Sequence, residues 1–170
     1  MTAGKAFYAK QGNTYVIKLV GDIRYTMGCS LDDFLNQLFE NVDFDNIVVD
    51  LGETTCIDST SLGLLAKIAN FMQDRFAKKT TLISTNKDIN QLLDSVGFYA
   101  VFNICEQCPT CSEGSLRLSI SDPSKTELTK TMFEAHSRLS ELNDNNREIF
   151  KNVVEALKNK LVSEKNGQSA

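Results

Sequence analysis

At 170 residues the chain can bury one ordinary domain core with an appendage beside it. A formal charge of −4 and a pI near 5.1 set aside a binder of nucleic acid or of an anionic membrane surface. No apolar run approaches the ~20 residues that a membrane-spanning helix needs. The opening Met1-Thr2-Ala3-Gly4-Lys5 lacks the apolar core of an export signal, so a cytoplasmic protein is expected.

Lys5 to Gly12 and Thr14 to Gly21 read as two strands joined by a Gly12-Asn13 turn. Arg24 to Cys29 shows no periodicity and reads as a loop. Leu31, Phe34, Leu35, Leu38 and Phe39 then fall on one face of an amphipathic helix, with Ser30 as its expected cap and Asp32 and Asp33 in the first turn. Asn46 to Leu51 is expected as a strand buried on both faces. It runs into Asp58-Ser59-Thr60-Ser61-Leu62-Gly63, after which Leu62, Leu65, Ile68, Ala69 and Met72 mark a helix from about residue 59 to 75. A strand at 80–84, a short helix at 88–93 and a last strand at 100–105 complete the pattern, with one possible short strand at 116–120. The alternation of strands and helices predicts an α/β domain over residues 1–120, with a mixed sheet of four to five strands flanked by helices.

Residues 121–170 differ in kind, as a connector and an α-helical C-terminal extension. Leu128, Met132, Ala135, Leu139, Leu142, Ile149, Val153 and Ala156 follow a 4-3-4-3 spacing, with Asn146 at the one polar position. This predicts one long helix, or two joined near Asn143-Asp144-Asn145, where Asn145 followed by Glu148 would cap the second. The extension either folds back over the domain or meets a partner, including a second copy of the chain in a homodimer.

Three groups of residues bear on chemistry. Asp58 and Ser59 sit where a strand hands over to a helix, and one of them is the natural helix cap. A helix start also offers unpaired N–H groups and a positive dipole end to an oxygen-rich or anionic group. Cys105, Cys108 and Cys111 form two overlapping C-x-x-C units, which suit a metal or a redox disulfide. A tetrahedral zinc site would need a fourth ligand from Cys29, Cys56 or His136, and the alternative is a set of reduced thiols. His136 is the single histidine, so no second imidazole is available for a relay, and no Gly-rich phosphate loop is present. No cofactor and no enzymatic activity are therefore expected.

From about Ala6 to Glu106 the chain resembles the STAS domain of bacterial anti-sigma factor antagonists. The likeness is carried by Val16-Ile17-Lys18-Leu19-Val20-Gly21-Asp22-Ile23, by Ile47 through Gly63 with Asp58-Ser59-Thr60-Ser61-Leu62-Gly63, and by Leu92-Leu93-Asp94-Ser95-Val96-Gly97-Phe98. The C-terminal fifty residues lie outside it. The resemblance implies a STAS fold and a phospho-acceptor at Ser59, flanked by Asp58 and followed by Thr60. Leu62 and Gly63 match positions that let the helix pack closely, and Asp22 belongs to the implied partner-binding set. Ser61 stands where many relatives have glycine. The implied partners are an anti-sigma factor that is also a serine-protein kinase, and a PP2C-type phosphatase. The unphosphorylated form would bind the regulatory partner, and phosphate on Ser59 would release it. Two other readings stand beside this one. One is an adaptor acting on another signalling enzyme, for example a diguanylate cyclase, through the C-terminal helices. The other is a thiol-based redox or metal sensor at Cys105, Cys108 and Cys111.

Overall fold

The computed structural model describes residues 2–107 and 115–167. Strands β1 (Lys5–Gln11) and β2 (Thr14–Ile23) form the expected hairpin, and Gly12 supplies the positive φ of 59° that the turn needs. A single 3₁₀ turn, Tyr25–Met27, leads into α1 (Gly28–Glu40). The helix thus begins two residues before Ser30, which is buried within it and accepts from the Ser121 N–H at 3.0 Å instead of capping.

Strand β3 (Asn46–Ile57) is twice the expected length. It stays paired with β2 through two register shifts, one between Lys18 and Val20 and one between Gly21 and Asp22. Each inserts an extra β3 residue, as a bulge does, and the Thr54 hydroxyl donates to the Leu19 carbonyl at 2.8 Å where the ladder is interrupted. Ile47, Val49 and Leu51 face the core while Val48 and Asp50 are only half-buried, so the strand is buried on one face rather than two. Helix α2 (Ser59–Phe76) follows directly.

Strand β4 (Thr80–Ile83) and helix α3 (Lys87–Ser95) agree with expectation. The stretch expected as one last strand divides into a short helix, α4 (Phe98–Val101), and β5 (Phe102–Cys105). A two-residue strand, β6 (Leu116–Arg117), adds to the free edge of β1. The sheet is mixed and has six strands in the order β5-β4-β3-β2-β1-β6, with β2 to β5 parallel and β1 antiparallel to both neighbours.

The C-terminal segment forms two helices, α5 (Lys125–Glu141) and α6 (Asp144–Gly167). Ser124 and Glu127 build a reciprocal capping box at the start of α5. The cap of α6 is Asn143, which accepts from the Asn146 N–H at 2.8 Å, and not Asn145. Leu139 of α5 joins the same hydrophobic core as Leu35, Leu51 and Leu65. The expected seam fails on α6: Ile149 and Val153 are 56% and 42% exposed, whereas Leu161 is buried. The turn between the helices is tied to the body at one carbonyl, since Asn146 Nδ2 donates to both Val96 and Leu139 carbonyls at 2.9 Å.

Candidate functional site

The bulged extension of β3 brings Ile57 beside Ile23 and delivers Asp58 to the mouth of the β2 loop. There the Asp58 N–H donates to the Ile23 carbonyl at 3.1 Å. Its carboxylate accepts from two backbone donors, Ser61 N at 2.9 Å and Tyr25 N at 2.5 Å. Asp58 is therefore the cap of α2, and its negative charge lies at the positive end of that helix. Because the cap is Asp58, Ser59 is the first residue of the helix proper, and its hydroxyl is free to bond outward.

That hydroxyl meets His136 of α5, with Oγ and Nε2 2.8 Å apart. The other ring nitrogen, Nδ1, lies 2.7 Å from the Met132 carbonyl. A carbonyl only accepts, so Nδ1 carries the hydrogen, and in the neutral ring Nε2 is left to accept from Ser59. His136 itself is only 4% exposed, while Ser59 is half-buried. The pair joins positions 77 apart in the chain, and a lone histidine outside any motif gives no sequence signal for it.

The residues that follow are covered. Thr60, Ser61, Leu62 and Gly63 are all buried. Gly63 lies directly beneath the backbone of Ala135, and a Cβ placed on it would stand 2.2 Å from the Ala135 carbonyl oxygen and 2.5 Å from its carbon. The close packing expected at Gly63 is thus real, and the element packed there is α5. Three helices meet a little further along: the methyls of Thr60 and Thr131 stand 3.4 and 3.5 Å from where a Cβ would be on Gly28. Beside them the Cys29 sulfur contacts the Thr131 hydroxyl at 3.3 Å, and burial pushes the Cys29 thiol up from its ordinary value.

The middle and second half of α2 are held by α1. Lys67 bonds Asp32 at 2.6 Å with both side chains nearly enclosed, and the rings of Phe39 and Phe71 stack at 3.9 Å. Asp22 has an opposite partner of its own, Arg24 at 2.9 Å, and Tyr25 beside it is 42% exposed. Through the Tyr25 N–H this loop is joined to Asp58, the residue before Ser59.

Of the cysteines, Cys29 is buried, Cys56 exposed and Cys105 half-buried. Cys108 and Cys111 lie outside the described residues. Among the described residues no group of three or more histidine, cysteine or acidic side chains is arranged to hold a metal ion.

The family model for the STAS domain matches residues 8–111, more than half of the chain. The chain belongs to the STAS domain family. Among solved structures, the anti-sigma factor antagonist SpoIIAA in its unphosphorylated form superposes with a TM-score of 0.51 at 13% identity, covering 61% of this chain and 89% of that one. At that identity the likeness shows the fold. No curated protein matches the chain. The STAS match ends at residue 111, so α5, which covers the start of α2, and α6 behind it both lie beyond it.

Proposed function

We propose that this STAS protein is a non-enzymatic phospho-switch of the anti-sigma factor antagonist kind, with Ser59 as the residue switched. The observation that carries the reading is the position of the Ser59 hydroxyl. It stands at the first turn of α2, half-exposed, with the capping duty taken by Asp58. A kinase can thus modify it without removing the helix cap. Phosphate adds about −1.5 to −2 charge at pH 7, beside the carboxylate of Asp58. The added negative charge disfavours a partner seated on the rim formed by Ser59, Asp22 and Tyr25. The unphosphorylated form then binds a regulatory partner, of the class of an anti-sigma factor that is also a serine kinase, and a PP2C-type phosphatase restores that form. The bacterial, cytoplasmic setting belongs to the same reading.

Immobilised wild-type protein incubated with cell extract and ATP tests this directly. Mass spectrometry should find phosphate on Ser59. The partner captured by wild type and by Ser59→Ala should bind Ser59→Asp at least about tenfold more weakly, ~1.4 kcal/mol. Equal affinity for Ser59→Ala and Ser59→Asp would sink the reading.

A second reading is favoured by one surface. Ile149 and Val153 lie one turn apart on α6 and are exposed. An adaptor acting on another signalling enzyme through its C-terminal helices would use that stripe, and its binding would be lost in Ile149→Asp rather than in Ser59→Asp.

A further inference from the structure

Helix α5 occupies the face of α2 that begins at Ser59. Its backbone rests on Gly63 at a distance that no side chain on α2 would permit. His136 holds the Ser59 hydroxyl at 2.8 Å, and the hairpin is tied down beyond α2 by Asn146 on the Val96 carbonyl. Phosphorylation replaces the hydrogen on Oγ. The Oγ–H bond breaks, an Oγ–P bond forms with the γ-phosphoryl of ATP, ADP leaves, and the proton passes to a base of the kinase.

The product does not fit the closed arrangement. Phosphorus and its three oxygens cannot stand between Oγ and Nε2, because those two atoms are already at hydrogen-bond distance. Turning the side chain away is the other route, and it sets the phosphate beside Asp58. The Asp58 carboxylate already takes the Ser61 N–H of the helix start and the Tyr25 N–H of the loop before α1, so these two donors are spent and a like charge is waiting there. The hydroxyl in its closed position is likewise half-buried and engaged by α5.

We propose that closure of α5 over α2 and phosphorylation of Ser59 are mutually exclusive, so that the C-terminal hairpin is the resident occupant of the switch face and is unseated by phosphate. The proposal rests on the reading of Ser59 as a phospho-acceptor. Linkage makes it reciprocal: whatever phosphate does against closure, closure does against phosphate.

The test uses the full chain with phosphoserine installed at position 59 during translation, compared with wild type. Cys29 is a native reporter, because its thiol is buried against Thr131 of α5. Alkylation of Cys29 by iodoacetamide and hydrogen exchange of the 128–141 amides should both accelerate by about tenfold or more in the phosphorylated chain, while the amides of β2 and β3 keep their wild-type rates. Unchanged or slower rates at Cys29 and in α5 would overturn the proposal, and so would an equal acceleration in β2 and β3, which would mean general unfolding. Gly63→Ala supplies a variant without charge. It inserts a methyl group into the Ala135 backbone, and alanine suits a helix better than glycine, so α2 stays intact. It should raise Cys29 labelling, and failure to do so would also count against the cover. No partner enters either measurement, so these rates decide the proposal independently of the partner-release experiment.

Discussion

Asp58 does two jobs at once, since its two carboxylate oxygens cap α2 and hold the loop at Tyr25. Loss of an aspartate cap costs about 1 kcal/mol, with the Tyr25 donor added to it. Asp58→Ala is therefore expected to lower stability by roughly 1–2 kcal/mol in urea titration. Asp58→Asn keeps one acceptor for the helix cap but turns an NH2 donor toward the Tyr25 N–H, so it should recover only part of that loss. Cys29 shows the same dependence of one residue on its surroundings. Burial disfavours the thiolate, which is the form that alkylating agents attack, so its pKa is raised above the ordinary thiol value. The exposed Cys56 should be alkylated well before Cys29 at pH 8. Raising the pH increases the Cys29 thiolate fraction, and its rate should go on rising with pH through and beyond the ordinary thiol range. Cys29 reacting as fast as Cys56 at pH 8 would show that the site is not enclosed.

Among the elements, those with a local signal were legible. The stripe of Leu31 to Phe39 marked α1, and the apolar run followed by Asp58 marked the β3–α2 junction that carries the candidate site. The full length of β3 was not, because Gly52-Glu53-Thr54-Thr55 breaks the apolar pattern. Pairing with β2 through bulges, a non-local effect, carries the strand across those residues. The stretch from Ala100 divided for a related reason: Gly97 takes a φ of 79° and starts a helical turn at Phe98, which pulls the turn into the core before β5 begins. The start of α5 is set by the capping box at Ser124-Lys125-Thr126-Glu127, a local spacing that the seam pattern alone does not register. At Asn146 the periodic pattern pointed to a polar position in a seam, and the structure gives it another duty, bridging the Leu139 carbonyl to the Val96 carbonyl of the body. Only the tertiary neighbour distinguishes the two.

At the scale of the molecule, sequence spacing gave α5 and α6 one continuous seam, and the fold divides it. Helix α5 lies between α2 and α6, and its buried residues include Thr129, Thr131 and His136 beside Ala135 and Leu139, a band broader than a two-helix seam. Helix α6 packs chiefly on α5 and leaves Ile149 and Val153 in water. Two leucine-like positions of the same apparent rank therefore have different weights. Leu139 is fully enclosed within the core that the sheet and α2 share. Leu139→Ala removes three buried carbons and should cost about 2–5 kcal/mol, as core truncations do. Ile149→Ala, at a site already 56% exposed, should stay within about 0.5 kcal/mol of wild type. Urea unfolding followed by circular dichroism measures both. Equal costs for the two variants would mean that the hairpin packs through the regular seam after all, and that α5 does not share the core of the STAS body. A large cost confined to Leu139→Ala would tie the helix that covers Ser59 to the stability of the whole chain, so that lifting it draws on contacts the body itself depends on.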